Sequence, residues 1–356
     1  MKQNNGIATV LMIGIAGVLF AASLYLFNAN TLKEGVEPVV DKNVEKSETV
    51  SAPAPSPFEF EELTIPYLRN RVYKSTLADF REYSNNSDYI NYLTSYDSDG
   101  LKINGLLAIP KGDVPEGGWP AVVFVHGYIP PESYNTTSNY ASFVDYLARN
   151  GFVVFKIDLR GHDDSEGIAS GGYYSGGYVI DTLNAAAALS ETDFINKDRI
   201  GTWGHSMAGN VTFRALVASD KINTAVIWAG AVYTYEDMQE FGIDDNSYRP
   251  PAEDSPRRRE RERLRELHGD FDPGSTFWQM VVPTNYLDGV EDNLQINHAV
   301  DDSVVSIDYS RNLQSVLYGT GFNFELNELP TGGHNITGSS FNEAMQNTVE
   351  FYRDNL

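Results

Sequence analysis

The chain opens on an apolar run and then changes character. Ile7 to Phe27 (IATVLMIGIAGVLFAASLYLF) carries no charged residue over 21 positions. At about 1.5 Å per helical residue, that length crosses a hydrocarbon core of about 30 Å. A cleavable signal has a shorter apolar core of about 7–15 residues, so an uncleaved anchor is expected at 1–27. The small residues of Phe20-Ala21-Ala22-Ser23 keep the alternative, cleavage and secretion, open. Lys2 precedes the run, while Lys33 is offset by Glu34 and Glu37. That bias puts the N-terminus in the cytoplasm and the bulk outside. Residues 28–57 are polar and end in SAPAPSP, which reads as a disordered, extended tether.

From Phe58 the pattern becomes globular. Residues 58–87 are mixed and are expected to pack on the outside of the main domain. Tyr89–Tyr96 and Leu101–Ile109 are strand-like runs around Asp97-Ser98-Asp99-Gly100, which predicts a hairpin. Ala121–Val125 (AVVFV) is continuously apolar, as a strand buried on both faces should be. Phe152–Ile157, Arg199–Trp203 and Thr224–Trp228 are further strands. Between them, Tyr140–Arg149 has helical spacing and stops at Gly151, Val179–Leu189 is Ala-rich, and Met207–Ala218 reads as a third helix. Strands alternating with helices behind a hairpin predict an α/β fold with a mostly parallel sheet and helices on both faces. Ligands of such sheets bind at the carboxyl ends of the strands.

Those ends carry the candidate chemistry. Gly204-His205-Ser206-Met207-Ala208-Gly209 follows a strand and opens a helix, the context a serine nucleophile elbow needs. Small residues flank the serine because its backbone must turn sharply, and Ala208 stands where the motif has glycine. Serine needs a base, and the base an orienting acid, in the order Ser, acid, His. Of the histidines after Ser206 (His268, His298 and His334), His334 lies on a Gly332-Gly333 loop. It falls between a strand at Asn323–Leu326 and a final helix around Ser340–Tyr352. Asp301 and Asp302 follow a strand at Asn293–Asn297 and compete for the acid. Asp302 is preferred, because Ser303-Val304-Val305 is expected to open the next helix and leave it at the corner. Two donors should serve the developing oxyanion: the Met207 N–H and, after Ala121–Val125, the Tyr128 N–H of His126-Gly127-Tyr128. His126 precedes the serine and is expected to be structural.

Composition narrows the classes. Lys and Arg number 26 and Asp and Glu 49, a formal net charge of −23, which argues against a nucleic-acid partner. With no cysteine, disulfides, thiolate metal sites and a cysteine nucleophile are excluded. No metal or cofactor is implied. Sequons occur at Asn135, Asn210 and Asn335. Two of them flank the candidate site, so no glycosylation and a prokaryotic setting are expected.

With HGY after a buried strand, DLRGHDDSEG (Asp158–Gly167), GHSMAG, HAVDDSVVS and GGH, the chain resembles the α/β-hydrolase superfamily of serine hydrolases. The lead-in SYDSDGLKINGLLAIP is similar to the start of the catalytic domain of the prolyl oligopeptidase (S9) group and related bacterial esterases. The resemblance covers about Tyr89 to Leu356. It implies Ser206 as nucleophile, Asp302 as acid, His334 as base, and Tyr128 and Met207 as oxyanion donors. It assigns Asp158, Arg160, Gly161 and His162 to a structural turn. Ala208, Ala299 and Ser306 depart from the family's usual Gly, Gly and Pro. Oligopeptidases of the group carry a propeller domain ahead of the catalytic one. The stretch between the tether and the first predicted strand leaves no room for it, which tilts the expectation towards a carboxylesterase, with an S9-type peptidase as alternative. The substrate is then a small acyl ester or a short peptide. A non-catalytic binding protein that kept the fold is the rival of another class.

Residues 233–292 interrupt the core between two strands and are expected to form a cap. At its centre Ser255-Pro256 starts a helix rich in Arg and Glu, with Arg258–Glu262 and Glu262–Arg265 at helical spacing that allows pairing and a narrow edge of Leu264 and Leu267. The plain expectation is a solvated helix; the sharper one is a lid whose arginines attract an anionic substrate or partner. Phe271, Phe277, Trp278 and Met280 could line an acyl pocket or simply fill the core.

Overall fold

The computed structural model describes residues 58–356. The predicted anchor at 1–27 and tether at 28–57 lie outside the described residues. Among the described residues no helix is long and apolar enough to cross a membrane.

One nine-stranded sheet organises residues 58–356: β1 (Ala78–Asn85), β2 (Tyr89–Ser98), β3 (Leu101–Pro110), β4 (Trp119–Val125), β5 (Val153–Ile157), β6 (Ile195–His205), β7 (Thr224–Trp228), β8 (Asn293–Ala299) and β9 (Asn323–Leu329). Their order is β1-β2-β3-β5-β4-β6-β7-β8-β9. β1, β2, β3 and β5 pair antiparallel in turn, and from β5 onward every pair is parallel. The hairpin turns at Asp99 and Gly100, with φ of 58° and 78°. A primed two-residue turn needs this conformation, and Asp-Gly suits it.

Helices cover both faces. They are α1 (Ile65–Asn70), α2 (Ala141–Arg149), α3 (Gly177–Ser190), α4 (Ala208–Ala218), α5 (Tyr235–Phe241), α6 (Pro256–His268), α7 (Thr276–Val281), α8 (Asp308–Leu317) and α9 (Ser339–Asn355). Strand alternation divides the core between the two faces. Ala121, Val123 and Val125 of β4 join one cluster with α3 and α4. Val122 and Phe124 join another with α2 and α9. The α/β-hydrolase architecture with a mostly parallel sheet is therefore present.

Two expectations need correction. The segment before the hairpin is not merely peripheral, because Leu63, Ile65 and Leu68 are fully buried. It also contains β1, an edge strand exposed along its whole length. Neither face of β1 is covered, so ADFREYSN carries no apolar alternation from which a strand could be read. The helix after Asp302 begins at Asp308 rather than at Ser303. The Asp302 carboxylate caps the Val304 and Val305 N–H groups in the intervening turn.

Candidate active site

Parallel pairing brings four strand ends to one edge. Val125 pairs with Gly204, His205 with Trp228, Trp228 with Asn297, and Ala299 with Leu329. The loops after β4, β6, β8 and β9 therefore leave the sheet side by side, and these loops carry Tyr128, Ser206, Asp302 and His334.

Ser206 has φ 56°, a conformation non-glycine residues rarely adopt. Its N–H donates to the Trp228 carbonyl at 3.0 Å, and its own carbonyl accepts the Gly209 N–H at 2.8 Å. Crowding explains the flanking glycines. A Cβ on Gly204 would lie 2.4 Å from Thr212 Oγ1, and one on Gly209 would lie 2.6 Å from Gly230 Cα. Ala208 is fully buried in the core, so its methyl is accommodated. The tight approach falls one residue later than the motif places it.

Ser206 Oγ lies 2.9 Å from His334 Nε2, and His334 Nδ1 lies 2.8 Å from Asp302 Oδ2. With Nδ1–H donating to the carboxylate, Nε2 is free to accept from the serine hydroxyl. The Asp302 side chain is inaccessible to solvent, and that of His334 is 15% exposed. Burial alone would raise the Asp302 pKa. Hydrogen bonds from His298 and His334, the charge of His334, and the Val305 N–H outweigh it and hold the carboxyl well below its ordinary range. The carboxylate thus stays ionised.

Asp301, the other candidate acid, is exposed and accepts the Gly333 N–H at 2.8 Å. It pins the loop that presents His334 and does not reach the imidazole. Met207 and Tyr128 both line the cavity that opens at Ser206. Among the described residues, neither N–H has an acceptor.

Supporting residues were not legible in the motifs. His298 is fully buried behind Asp302, with Nε2 3.0 Å from the Val305 carbonyl and 3.2 Å from Asp302 Oδ2. Its Nδ1 accepts from Ser310 Oγ at 2.7 Å. His205, inside the elbow itself, ties three loops together. The Gly127 N–H donates to Tyr140 Oη at 3.1 Å, Tyr140 Oη lies 2.8 Å from His205 Nδ1, and His205 Nε2 lies 2.9 Å from the His334 carbonyl. Burial and the neighbouring His334 push the His205 pKa down to about 3, so the ring is neutral. Burial raises the Tyr140 phenol, which remains protonated and able to donate. Only the position of His205 beside the serine could have singled it out. Arg160 ion-pairs with the fully buried Asp181 at 2.7 Å, a structural role as expected. Asn210 is buried and donates to the Val232 carbonyl at 2.6 Å, which leaves no room for a glycan.

The interrupting segment supplies α5, α6 and α7 and the roof of this cavity. Its volume is about 290 Å³, at the small end for ligand pockets. The inward stripe of α6 differs from the predicted leucine edge. Leu264 is buried, but Leu267 is 42% exposed, and Arg257 and Arg261 face the cavity instead. Phe277 and Trp278 are buried core residues.

Residues 120–245 match the family model Hydrolase_4, described as serine aminopeptidase, S33. Acetyl xylan esterase 1 from Thermoanaerobacterium sp. JW/SL YS485 is similar in structure, with TM-score 0.57 and 18% identity over 84% of this chain and 95% of that one. Dipeptidyl peptidase 4 from Porphyromonas gingivalis gives TM-score 0.56 and 20% identity over 76% of this chain and 36% of that one. A puromycin-hydrolyzing peptidase from Mycobacterium tuberculosis gives 0.57 and 21% over 76% and 40%. The chain thus spans nearly all of the esterase but well under half of either peptidase. It carries an α/β-hydrolase domain of the serine hydrolase kind.

Proposed function

We propose that this serine hydrolase cleaves small acyl esters through Ser206, His334 and Asp302, with its catalytic domain outside the cytoplasmic membrane. The observation that carries the reading is the unbroken chain from Ser206 Oγ through the imidazole to a buried, ionised carboxylate. As Oγ attacks the acyl carbonyl carbon, its proton passes to His334 Nε2 and the Oγ–C bond forms. The Met207 and Tyr128 N–H groups receive the developing oxyanion. On collapse the bond to the leaving oxygen breaks, and that oxygen takes the Nε2 proton. Water then attacks the acyl-enzyme and gives a proton to Nε2, which returns it to Ser206 as the acid departs. Asp302 keeps the imidazole in the productive tautomer and stays ionised throughout. The extracytoplasmic placement rests on the apolar run Ile7–Phe27 and the charges around it.

Peptide hydrolysis is the second reading, favoured by the serine aminopeptidase description of the matching family. Turnover of p-nitrophenyl acyl esters and aminoacyl-anilides, side by side in wild type and Ser206→Ala, separates the two. Ester hydrolysis that depends on Ser206 is expected. Anilide hydrolysis exceeding ester hydrolysis would give preference to the peptidase, and equal turnover in Ser206→Ala would remove Ser206 from the mechanism.

A further inference from the structure

The cavity roof is basic in a chain of net charge −23. Helix α6 carries arginine at 257, 258, 259, 261, 263 and 265, and its two sides treat them differently. Away from the cavity the charges are neutralised or bonded. Arg258 pairs with Glu262 at 2.6 Å, Arg263 with Glu59 at 3.0 Å and Glu266 at 3.5 Å, and Arg265 with Asp270 at 2.6 Å. Arg259 donates to the Asp254 carbonyl. Facing the cavity, Arg257 and Arg261 stand one turn apart and have no carboxylate partner among the described residues.

The two guanidinium groups differ in what they touch. Arg261 lies 4.5 Å over the Tyr174 ring, and its Nη1 donates to Tyr248 Oη at 3.1 Å. Arg257 lies against the loop at Gly171, where a Cβ would come within 3.2 Å of its Nη2. The carboxylate in the cavity wall, Asp245, accepts the N–H and hydroxyl of Ser247 at 2.8 and 2.6 Å and pairs with neither arginine. Two cations with donors to spare, lining the same cavity as Ser206, fit an anion that both can bond.

We propose that the substrate bears a carboxylate, held by Arg257 and Arg261 while its acyl carbonyl sits at Ser206. This rests on Ser206 being the nucleophile. Tyr174 and Tyr248, which contact Arg261, line the same cavity. A free N-terminal ammonium in the same place would meet two positive charges, so the roof selects against it.

The test uses the full chain and p-nitrophenyl monoesters of succinate, glutarate and adipate, each against the neutral ester of the same chain length. At low salt, kcat/KM for at least one anionic ester should exceed that of its neutral counterpart about tenfold or more, as a charge-assisted contact predicts. The ratio should fall towards one in Arg257→Gln and in the Arg257→Gln/Arg261→Gln double variant, and shrink as salt is added. Arg258→Gln, on the outward side, should keep the wild-type ratio. Ratios at or below one throughout the series in wild type overturn the proposal, as does a preference that survives both variants. The single variant decides if the double one fails to fold, because Arg257 donates no hydrogen bond to the described residues. Neutral-ester turnover and fluorophosphonate labelling of Ser206 without anionic preference defeat this inference alone. Absence of labelling defeats the reading beneath it.

Discussion

The floor and the roof of the cavity are built by different means. On the floor, each candidate catalytic group or its loop is fixed by a hydrogen bond to backbone, from a neighbouring strand end or its own turn. Trp228 holds Ser206, the Val304 and Val305 amides hold Asp302, and Asp301 holds the loop of His334. Within the roof, α5 and α7 are rooted in the core by Tyr235, Phe277, Trp278 and Val281, whereas α6 rests on few buried side chains. Leu264 is the one buried residue of α6, and this part of the cap is fastened by surface contacts such as Arg263–Glu59 and the Arg249 N–H to Tyr128 Oη at 3.0 Å. Tyr128 thus joins the two regions, lining the cavity with Ser206 and accepting from the cap through its hydroxyl. On the proposed reading the fixed floor sets which reaction occurs, and the lightly fastened α6 sets which molecule meets it.

Substitutions on the two sides should therefore differ in kind as well as size. The largest effect belongs to the floor. Ser206→Ala or His334→Ala should each lower kcat about 10³-fold or more without changing the melting temperature. The double variant should be no slower than either single one, because the pair acts as a unit; kcat values that multiply would break the floor into independent parts. Next comes Gly209→Ala, whose new Cβ meets backbone at Gly230. It should cost about 1–3 kcal/mol in denaturant unfolding, the usual range for overpacking.

His205 tests whether the floor is held as one piece. Its folded pKa of about 3 lies below the ordinary value of about 6.5, so the unfolded chain binds the proton more readily between them. That contribution is present above about pH 6.5 and is lost as pH falls towards 3. Melting temperature should decline over that window, and the decline should be shallower in His205→Gln. An equal decline would show that other groups carry the acid sensitivity. The smallest effects belong to positions that look important in sequence. Arg258→Gln on the roof should change stability by less than about 0.5 kcal/mol, as exposed ion pairs do. Ala208→Gly, which completes the motif, should cost up to about 1 kcal/mol in helix propensity and bring no gain in kcat.

Legibility in the sequence followed the same division. Buried strands such as AVVFV and TAVIW announce themselves by unbroken apolarity, and the order of Ser206, Asp302 and His334 follows from the strands that precede them. The supporting shell did not announce itself. His298 and His205 act through contacts made by the fold, and nothing in their local spacing distinguishes them from other histidines. β1 escaped because a strand exposed on both sides has no alternation to show. On α6, helical spacing pointed to Arg–Glu pairing and to a Leu264–Leu267 edge. Which side faces the cavity is decided by tertiary packing, and that packing turned Arg257 and Arg261 inward.

The central claim is that Ser206 is the nucleophile, activated by His334. Fluorophosphonate treatment of the full chain, followed by intact-mass measurement and peptide mapping, tests it most directly. A single adduct on Ser206 is predicted, absent in Ser206→Ala and formed far more slowly in His334→Ala. No adduct on the folded wild-type protein, or equal labelling of Ser206→Ala, would contradict the account.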